Sequence, residues 1–288
     1  GRMSCKHPNA QQMSPRAKAL FHPLPGEAFL SYDASQVEFR LIVHYINDLA
    51  AIAAYAADPD TDFHAWVAEL CGIKRKQAKN VNFAIAYGAG KRKILKMLAS
   101  NPEIVAEVGE RVNKMVAEGV LPEHHRASEY NRLCQERAEH IYADYHERLP
   151  GVKRLSLSAA ERCRYRGYVF NAFGRRRHLP ERASFRAFNT VIQGCAMDYI
   201  KDRMIAVSPR HDELMRKRNV RIIANVHDEL LFTGPIEVMR DASTRAHILE
   251  VLEAAPKPFG KEFRVPFRWG IGYSEKNWAE ASSDDVVE

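Results

Sequence analysis

The sequence predicts an α+β protein, from one buried strand, one hairpin and several long helical stretches. Residues 28–33 (AFLSYD) are apolar and follow Pro25-Gly26, as a buried strand would. Residues 221–232 (RIIANVHDELLF) have two apolar arms around a polar His227-Asp228 centre, which predicts a hairpin. Helical length, spacing and composition occur in residues 34–57, 62–99, 101–148 and 183–207. A small sheet accompanied by many helices is therefore expected.

The composition favours a partner that carries negative charge. The 288 residues include 43 Lys and Arg against 36 Asp and Glu, for a formal charge of +7. The isoelectric point is about 9.1. A basic chain of this kind suits a polyanion such as nucleic acid, but a solvated basic surface explains the same numbers.

Cysteine usage and hydropathy indicate a cytoplasmic protein without a membrane partner. The five cysteines show no CxxC spacing, which is typical of free thiols in a reducing compartment and suggests no zinc site. The chain has neither a signal-peptide pattern nor a run of 18 apolar residues. It starts with Gly1-Arg2 rather than Met, from which we expect it to be a piece of something longer.

One segment has four side chains of unusual type at a constant step of four residues, namely Arg75, Lys79, Phe83 and Tyr87. On an α-helix they form a winding stripe ~18 Å long, about the length of a nucleoside triphosphate. The two cations are suited to phosphates and the two aromatics to a sugar and a base. On spacing alone, two core aromatics with two cations at the wet edge of an amphipathic helix are the more common explanation of the pattern.

Three motifs carry a resemblance to family A DNA polymerases, the bacterial polymerase I and phage polymerase group. RKQAKNVNFAIAYG (75–88) resembles the motif of the family's fingers helix, DASQVEFR (33–40) resembles its first palm motif, and VHDEL (226–230) resembles its last. Weaker similarities, such as FGRRRHLP (173–180) and FNTVIQGCAMD (188–198), extend the resemblance over nearly the whole chain.

The resemblance implies an architecture. We expect a palm with a small antiparallel sheet plus helices, into which mostly helical fingers are inserted. The palm would comprise residues 1–57 and 181–288, and the fingers residues 58–180. Thumb and exonuclease domains are expected to be absent, so that a separate chain or a missing N-terminal segment would supply them.

The resemblance also implies the chemistry. Two Mg²⁺ ions, for which Mn²⁺ can substitute, would be held by Asp33, Asp228 and the backbone carbonyl of Ala34, where the family usually has Tyr. Without the motifs, an Asp at a strand end is more commonly a turn or capping residue. Glu229 is predicted as a further catalytic residue, although a carboxylate beside the site is also explained by solvation.

The partners implied are primer-template DNA and deoxynucleoside triphosphates, in a bacterium or a phage-infected host. Arg75 and Lys79 are expected to act in catalysis by binding the triphosphate. Glu38 is expected to block a ribose 2′-hydroxyl, although a glutamate on the surface of a helix is the plain alternative. For His227 the plain alternative is a histidine in a hairpin turn. The expected nucleotide-binding residues are Arg75, Lys79, Phe83, Tyr87, Glu38, Gln36 and His227. The expected DNA-binding residues are Arg2, Asn9, Gln11, Arg40, Asn189 and Gln193.

One position departs from the family pattern near these DNA-binding residues. The family often has an Arg four residues before the Asn that corresponds to Asn189, whereas this chain has Phe185 there and its nearest cation is Arg186. We therefore do not expect Phe185 to make the DNA contact that is associated with this Arg in the family.

The function predicted is template-directed transfer of deoxynucleotides to a primer 3′-hydroxyl. A non-catalytic DNA-binding relic of such a polymerase is one alternative. A phage-type single-subunit RNA polymerase, which shares the R-x3-K and Tyr-Gly pattern, is the other, and Glu38 in SQVE speaks against it.

Overall fold

The computed structural model describes residues 1–6, 9–86 and 89–282, in two compact units. The first, called the sheet unit, comprises Gly1–Asp60, Phe170–Arg176 and Val191–Glu288. The second, called the helical unit, comprises Thr61–Val169 and Arg177–Thr190. That these units correspond to a palm and to fingers stays a prediction.

Helices dominate the described residues. The strands are β1 Glu27–Ala34, β2 Tyr168–Phe170, β3 Arg176–His178, β4 Arg221–Val226, β5 Glu229–Pro235 and β6 Trp269–Ser274. The α-helices are α1 Pro15–Lys18, α2 Val37–Ile46, α3 Leu49–Ala57, α4 Phe63–Cys71, α5 Arg75–Ala86, α6 Lys91–Ala99, α7 Pro102–Ala117, α8 Arg126–Arg148, α9 Pro150–Arg166, α10 Ala187–Ala206, α11 Glu213–Lys217, α12 Ile236–Arg240, α13 Ala242–Glu253 and α14 Trp278–Ala281. Short 3₁₀ helices cover Ala10–Gln12, Glu123–His125, Glu181–Arg186 and Pro258–Gly260. No helix in these parts of the chain combines the length and the apolar character needed to cross a bilayer.

The sheet unit is built on a four-stranded antiparallel sheet in the order β4-β5-β1-β6. β1 is central and most of its residues are buried, which explains its continuous apolar sequence. Tyr32 on β1 packs edge-on against Phe232 on β5, with ring centroids 5.4 Å apart. The predicted α+β class, the buried strand and the hairpin are thus confirmed.

Helix α10 supports the sheet through aromatic side chains. The ring of Tyr199 stacks on Phe267 at a centroid distance of 3.9 Å. Its hydroxyl donates to the Leu252 carbonyl at 2.8 Å and accepts from the Trp269 indole N–H at 2.8 Å. Because Trp269 opens β6, these contacts tie α10 and α13 to one edge of the sheet.

In the helical unit, α8 contacts α4, α6, α7 and α9. The long helical stretches expected from the sequence are divided at residues that cap helices. Asn47 ends α2 with a φ of 54°, and the Asp48 carboxylate then accepts from the Ala51 N–H at 2.9 Å to begin α3. Gly72 ends α4 with a φ of 60°, a conformation that glycine adopts without strain.

Arg40 belongs to the core of the sheet unit and its contacts there are structural, while DNA binding by this residue stays a prediction. Its side chain is 1% exposed. The guanidinium donates to the carbonyls of Ser35, Pro266 and Pro59 at 2.8, 2.8 and 2.9 Å, and lies 4.8 Å from the Tyr55 ring centroid. Burial lowers its pKa, and the three carbonyls are the partners that make a buried cation tolerable.

We expect Arg40→Met to destabilise the protein without a specific loss of DNA affinity. The substitution would leave three buried carbonyls without donors, at a cost of about 2–4 kcal/mol. The midpoint of urea unfolding measures this cost, and Arg210→Met, at an exposed arginine, is the matched control. An unchanged midpoint together with weaker DNA binding would instead support the prediction that Arg40 binds DNA.

A second polar cluster fixes the turn of the β2–β3 hairpin to α10. The Asp198 carboxylate accepts from the Asn171 side-chain N–H at 2.7 Å and from Arg175 at 2.6 Å. Burial opposes ionisation of Asp198, but the hydrogen bonds from Arg175 and Asn171 outweigh it, so its pKa lies below the ordinary value of 3.8. The folded protein therefore favours the charged form.

This shift predicts a pH-dependent contribution to stability. A carboxyl whose pKa is depressed by folding stabilises the protein above pH 3.8, and that contribution is lost as the pH falls through the folded-state pKa. Since Arg175 is partly exposed, we expect Asp198→Asn to cost about 1–2 kcal/mol at pH 7. Thermal unfolding of both proteins from pH 7 to pH 3 tests this, because the difference should shrink below pH 3.8. Glu161→Gln, at an exposed carboxylate, serves as the control and should show no such trend.

Candidate functional site in the sheet and helical units

The pairing of β1 with β5 brings together two aspartates that are far apart in sequence. In the register of the two strands Asp33 lies opposite Glu229, and the Ala34 N–H donates to the Asp228 carbonyl at 3.1 Å. Asp33 is exposed and Asp228 is half-buried. Two of the predicted metal ligands therefore lie at the same end of neighbouring strands.

The carboxylates at this end of the sheet are partly desolvated. Burial raises the pKa of Asp228, and the charge of Glu229 adds to the effect, while His227 and Arg2 oppose it. Burial likewise raises the pKa of Glu38, Arg2 lowers it, and the charge of Asp228 raises it further. Arg2 donates to one Glu38 oxygen at 2.8 Å, whereas the other oxygen, Oε2, is buried without a hydrogen-bond partner. A further positive charge near these carboxylates would therefore stabilise their ionised forms.

Two residues of the site have a backbone conformation that costs energy. Gln36, which begins α2, has a φ of 50°, and His227, in the two-residue hairpin turn, has a φ of 57°. Such conformations cost about 1 kcal/mol or more for residues other than glycine and concentrate at functional sites. Asn225, which sequence reasoning missed, braces the turn by donating to the carbonyls of His227 and Glu229.

The residues present suit a hard divalent cation. Within the described ranges, no three His, Cys, Asp or Glu side chains are arranged as ligands of one ion. Mg²⁺, however, is commonly bound by one or two carboxylates, with waters and substrate phosphates completing an octahedron. Asp33 and Asp228 can supply the carboxylates, and because burial raises the pKa of Asp228, a nearby cation would favour its charged form.

The contacts of Glu229 are structural, and a role in catalysis stays a prediction. Its side chain is buried and accepts from Lys18 at 2.7 Å and from Ser31 and Trp278 at 2.8 Å. Ser282 also donates to it. Burial opposes its ionisation, but these donors lower its pKa overall. Glu229 therefore links β5 to α1, β1 and α14.

In the helical unit, α5 carries the predicted triphosphate-binding residues. Arg75 and Lys79 are exposed, and the Arg75 guanidinium donates to Asp62 at 2.6 Å. Asp62 also caps α4, because it accepts from the backbone N–H groups of His64 and Ala65. The helix predicted over this stretch is confirmed for Arg75–Ala86. Tyr87, the last residue of the predicted stripe, lies outside the described residues.

Phe83, half-buried on α5, packs against a histidine that sequence reasoning missed. The ring centroids of Phe83 and His64 are 5.6 Å apart, and the Asn82 side-chain nitrogen lies 3.0 Å from the His64 Nδ1. Burial lowers the pKa of His64 to about 4, with Asp62 opposing and Arg75 and Lys79 contributing. A neutral imidazole thus backs Phe83 at pH 7. The only sequence signal was the position of His64 after the capping residue Asp62.

The predicted DNA-binding residues lie in several segments. Arg2 contacts Glu38, as described above, and Asn9 and Gln11 lie in the N-terminal segment whose short 3₁₀ helix contacts β4. Asn189 and Gln193 are one turn apart on α10 and are both half-buried. The Asn189 Oδ1 atom is buried without a hydrogen-bond partner.

Comparison with known proteins identifies relatives over most of the chain. A DNA-directed DNA polymerase of Pseudomonas phage M6 is 28% identical over 300 residues, which are 94% of this chain and 43% of that protein. A DNA polymerase I of Rhizobium leguminosarum is 29% identical over 306 residues, which are 98% of this chain and 26% of that protein. The chain therefore spans less than half the length of these relatives.

A solved structure has the same fold. The POL domain of Pol1 from M. smegmatis, in complex with DNA primer-template and dNTP, matches with a TM-score of 0.75 and 24% sequence identity. The match covers 98% of this chain and 47% of that chain. The family model for DNA polymerase family A matches residues 1–115 and 122–280. On this extent of agreement, the chain belongs to DNA polymerase family A.

Proposed function

We propose that this chain is the palm-and-fingers part of a DNA polymerase, and that it transfers deoxynucleotides to a primer 3′-hydroxyl under the direction of a template. The observation that carries the proposal is the pairing of β1 with β5, which brings Asp33 and Asp228 to one end of the sheet. Membership of DNA polymerase family A supports the reaction type. The sheet unit would be the palm and the helical unit the fingers.

Asp33, Asp228 and the Ala34 carbonyl would hold two Mg²⁺ ions, for which Mn²⁺ can substitute. Bound ions of this kind lower the pKa of an attacking hydroxyl and neutralise a departing pyrophosphate. The protein's part is to fix the two carboxylates before the reaction. The β1–β5 hydrogen bonds do so for the backbone, and burial of the strands keeps the register.

Arg75 and Lys79 would bind the triphosphate of the incoming nucleotide. The planar guanidinium suits two phosphate oxygens at once, and the lysine ammonium acts as a compact charge. In the structure Asp62 holds the Arg75 side chain. An exposed ion pair contributes only about 0–1 kcal/mol, so a triphosphate with several negative charges can replace Asp62 as partner. Phe83, backed by His64, would pack on the sugar, and Tyr87 would be a further nucleotide-binding residue.

Glu38 would select the sugar, with Gln36 and His227 nearby in the palm. The Arg2 ion pair holds the Glu38 carboxylate in one orientation, which is what a side chain needs in order to exclude a 2′-hydroxyl by its bulk. Arg2, Asn9, Gln11, Asn189 and Gln193 would contact the primer-template DNA. We also propose that a further segment or a separate chain supplies the thumb and exonuclease functions.

We expect Asp228→Asn to abolish nucleotide incorporation while leaving the fold intact. The substitution keeps the size of the side chain and removes a charge on which several kcal/mol of transition-state stabilisation depend, so incorporation should fall at least about 100-fold. Single-turnover extension of a primed template with Mg²⁺ and saturating DNA measures the effect. Glu237→Gln, at an exposed carboxylate of the sheet unit, is the matched control. Absence of incorporation by the unmodified chain would favour the non-catalytic DNA-binding relic.

Variants of Glu38 test sugar selection. We expect Glu38→Ala to raise ribonucleotide relative to deoxynucleotide incorporation by about tenfold or more, because removal of one steric obstacle is worth about 1–3 kcal/mol. Glu38→Gln keeps the bulk and should keep most of the selectivity. Competition between the two nucleotide types in primer extension gives the ratio. A preference of the unmodified chain for ribonucleotides would instead support the RNA polymerase alternative.

A further inference from the structure

The helical unit has a groove between α6 and α8 that the proposed function does not use. Its volume is about 870 Å³, and its lining includes Arg92, Leu95, Lys96, Val105 and Tyr130. None of the described residues that line it is among those predicted to bind nucleotide or DNA. We call this surface the α6–α8 groove.

The floor of the α6–α8 groove is apolar. Leu95 and Ala99 line it one turn apart on α6, and Val105 lines it from α7. Val105 is 36% exposed, so a branched aliphatic side chain remains partly in water. The half-buried ring of Tyr130 on α8 extends this surface. A concave apolar surface of this kind gains free energy when a partner covers it.

Two cations lie on the same side of α6 as this floor. Arg92 and Lys96 line the groove four residues apart, and both are exposed. Within the described ranges neither of them pairs with a carboxylate. No Asp or Glu is among the described residues that line the groove. The surface is therefore complementary to a negatively charged partner.

Folding alone explains this charge pattern poorly. Residues 91–93 are all cations and form the first turn of α6, which contains no acidic residue. The first turn is the positive end of the helix dipole, so cations there lower the stability of the helix. Arg92 and Lys96 add a like-charge pair at a spacing of four residues, which is also unfavourable. A partner that brings carboxylates to the groove would offset both effects.

The shape of the groove suits a short helix. Its lining runs along α6 from Lys91 to Ser100, which at 1.5 Å per residue is about 14 Å. A partner helix of two to three turns has this length and presents its apolar side chains along one face. A single nucleic acid strand would instead need several aromatic rings for its bases, and Tyr130 is the one aromatic side chain among the described lining residues.

We propose that the α6–α8 groove binds an acidic amphipathic helix of a partner protein. The apolar face of that helix covers Leu95 and Val105, and its carboxylates pair with Arg92 and Lys96. The recognition is that of a helix in a groove, in which apolar anchors supply affinity and charge fixes the orientation. It requires neither DNA nor nucleotide, so it is independent of the proposed function.

The test measures binding of a fluorescein-labelled peptide to the full chain by fluorescence anisotropy. The peptide has about 14 residues, in which Leu recurs at helical spacing and Glu fills most other positions, so that one face is apolar. A peptide of the same composition with its Leu residues scattered around the helix keeps the charge and loses the apolar face. We expect the amphipathic peptide to bind at least about tenfold more tightly than the scattered one.

A charge exchange tests the two cations. The double variant Arg92→Glu, Lys96→Glu should weaken binding of the amphipathic peptide at least about 30-fold, because like charges then face each other. The same variant should bind a peptide in which Lys replaces Glu more tightly than the unmodified chain does. Lys153→Glu, at an exposed lysine of α9, is the matched control and should change both affinities less than about twofold.

Substitution of Val105 tests the apolar floor. Val105→Glu places a carboxylate under the partner helix and should weaken binding of the amphipathic peptide about tenfold or more. Leu157→Glu, at a residue of α9 that is 60% exposed, is the matched control and should change the affinity less than about twofold. Urea unfolding checks that each variant is folded. If Val105→Glu is not, Val105→Thr keeps the shape of the side chain and should still weaken binding about threefold.

Any of three results would overturn the helix-binding groove: no binding of the amphipathic peptide to the unmodified chain, equal binding of the scattered peptide, or unchanged affinity in both the double variant and the Val105 variant. An oligonucleotide of thymidines is titrated in parallel. If it binds through Arg92 and Lys96 while the peptide does not bind, the surface recognises nucleic acid and the proposal is wrong. Nucleotide incorporation is measured separately, and its absence would contradict the proposed function without affecting the groove.

Discussion

The antiparallel pairing of β1 with β5 is the constraint on which the candidate site of the sheet unit depends. Asp33 and Asp228 are separated by most of the chain, and a seven-pair register from Glu27↔Pro235 to Asp33↔Glu229 brings them together. A slip of one residue would turn every side chain of β1 to the other face. The buried apolar residues of β1 and the packing of Tyr32 on Phe232 make such a slip costly, so the core determines the position of these two aspartates.

This end of the sheet is locally unfavourable, and the rest of the sheet unit offsets the cost. Burial raises the pKa values of Asp228 and Glu38, so both carboxyls are ionised at some expense. Gln36 and His227 add backbone strain. Residues held in this way persist only where the surrounding structure over-determines them. The hydrogen bonds of Tyr199 and Trp269 and the four donors around Glu229 supply that support.

Sequence patterns predicted the local elements better than the surroundings of individual side chains. The strand at 28–33, the hairpin around His227-Asp228 and the helix from Arg75 follow from hydrophobic periodicity and turn chemistry, which are local properties. The breaks at Asn47 and Gly72 were missed because helical composition continues across both. The burial of Arg40 could not be inferred, because its three acceptor carbonyls come from segments that meet only in the folded chain.

Hydrogen-bond satisfaction separates the polar residues of the motifs into two groups. Arg40 and Glu229 belong to the same motifs as the candidate site residues, and each is buried with several hydrogen-bond partners, so we expect their removal to lower the stability of the fold. Glu38 and Asn189 each have a buried oxygen without a partner. A polar atom that folding leaves unsatisfied lowers stability, and a ligand that satisfied it would recover that cost. By this criterion Asn189 is a better candidate for a DNA contact than Arg40.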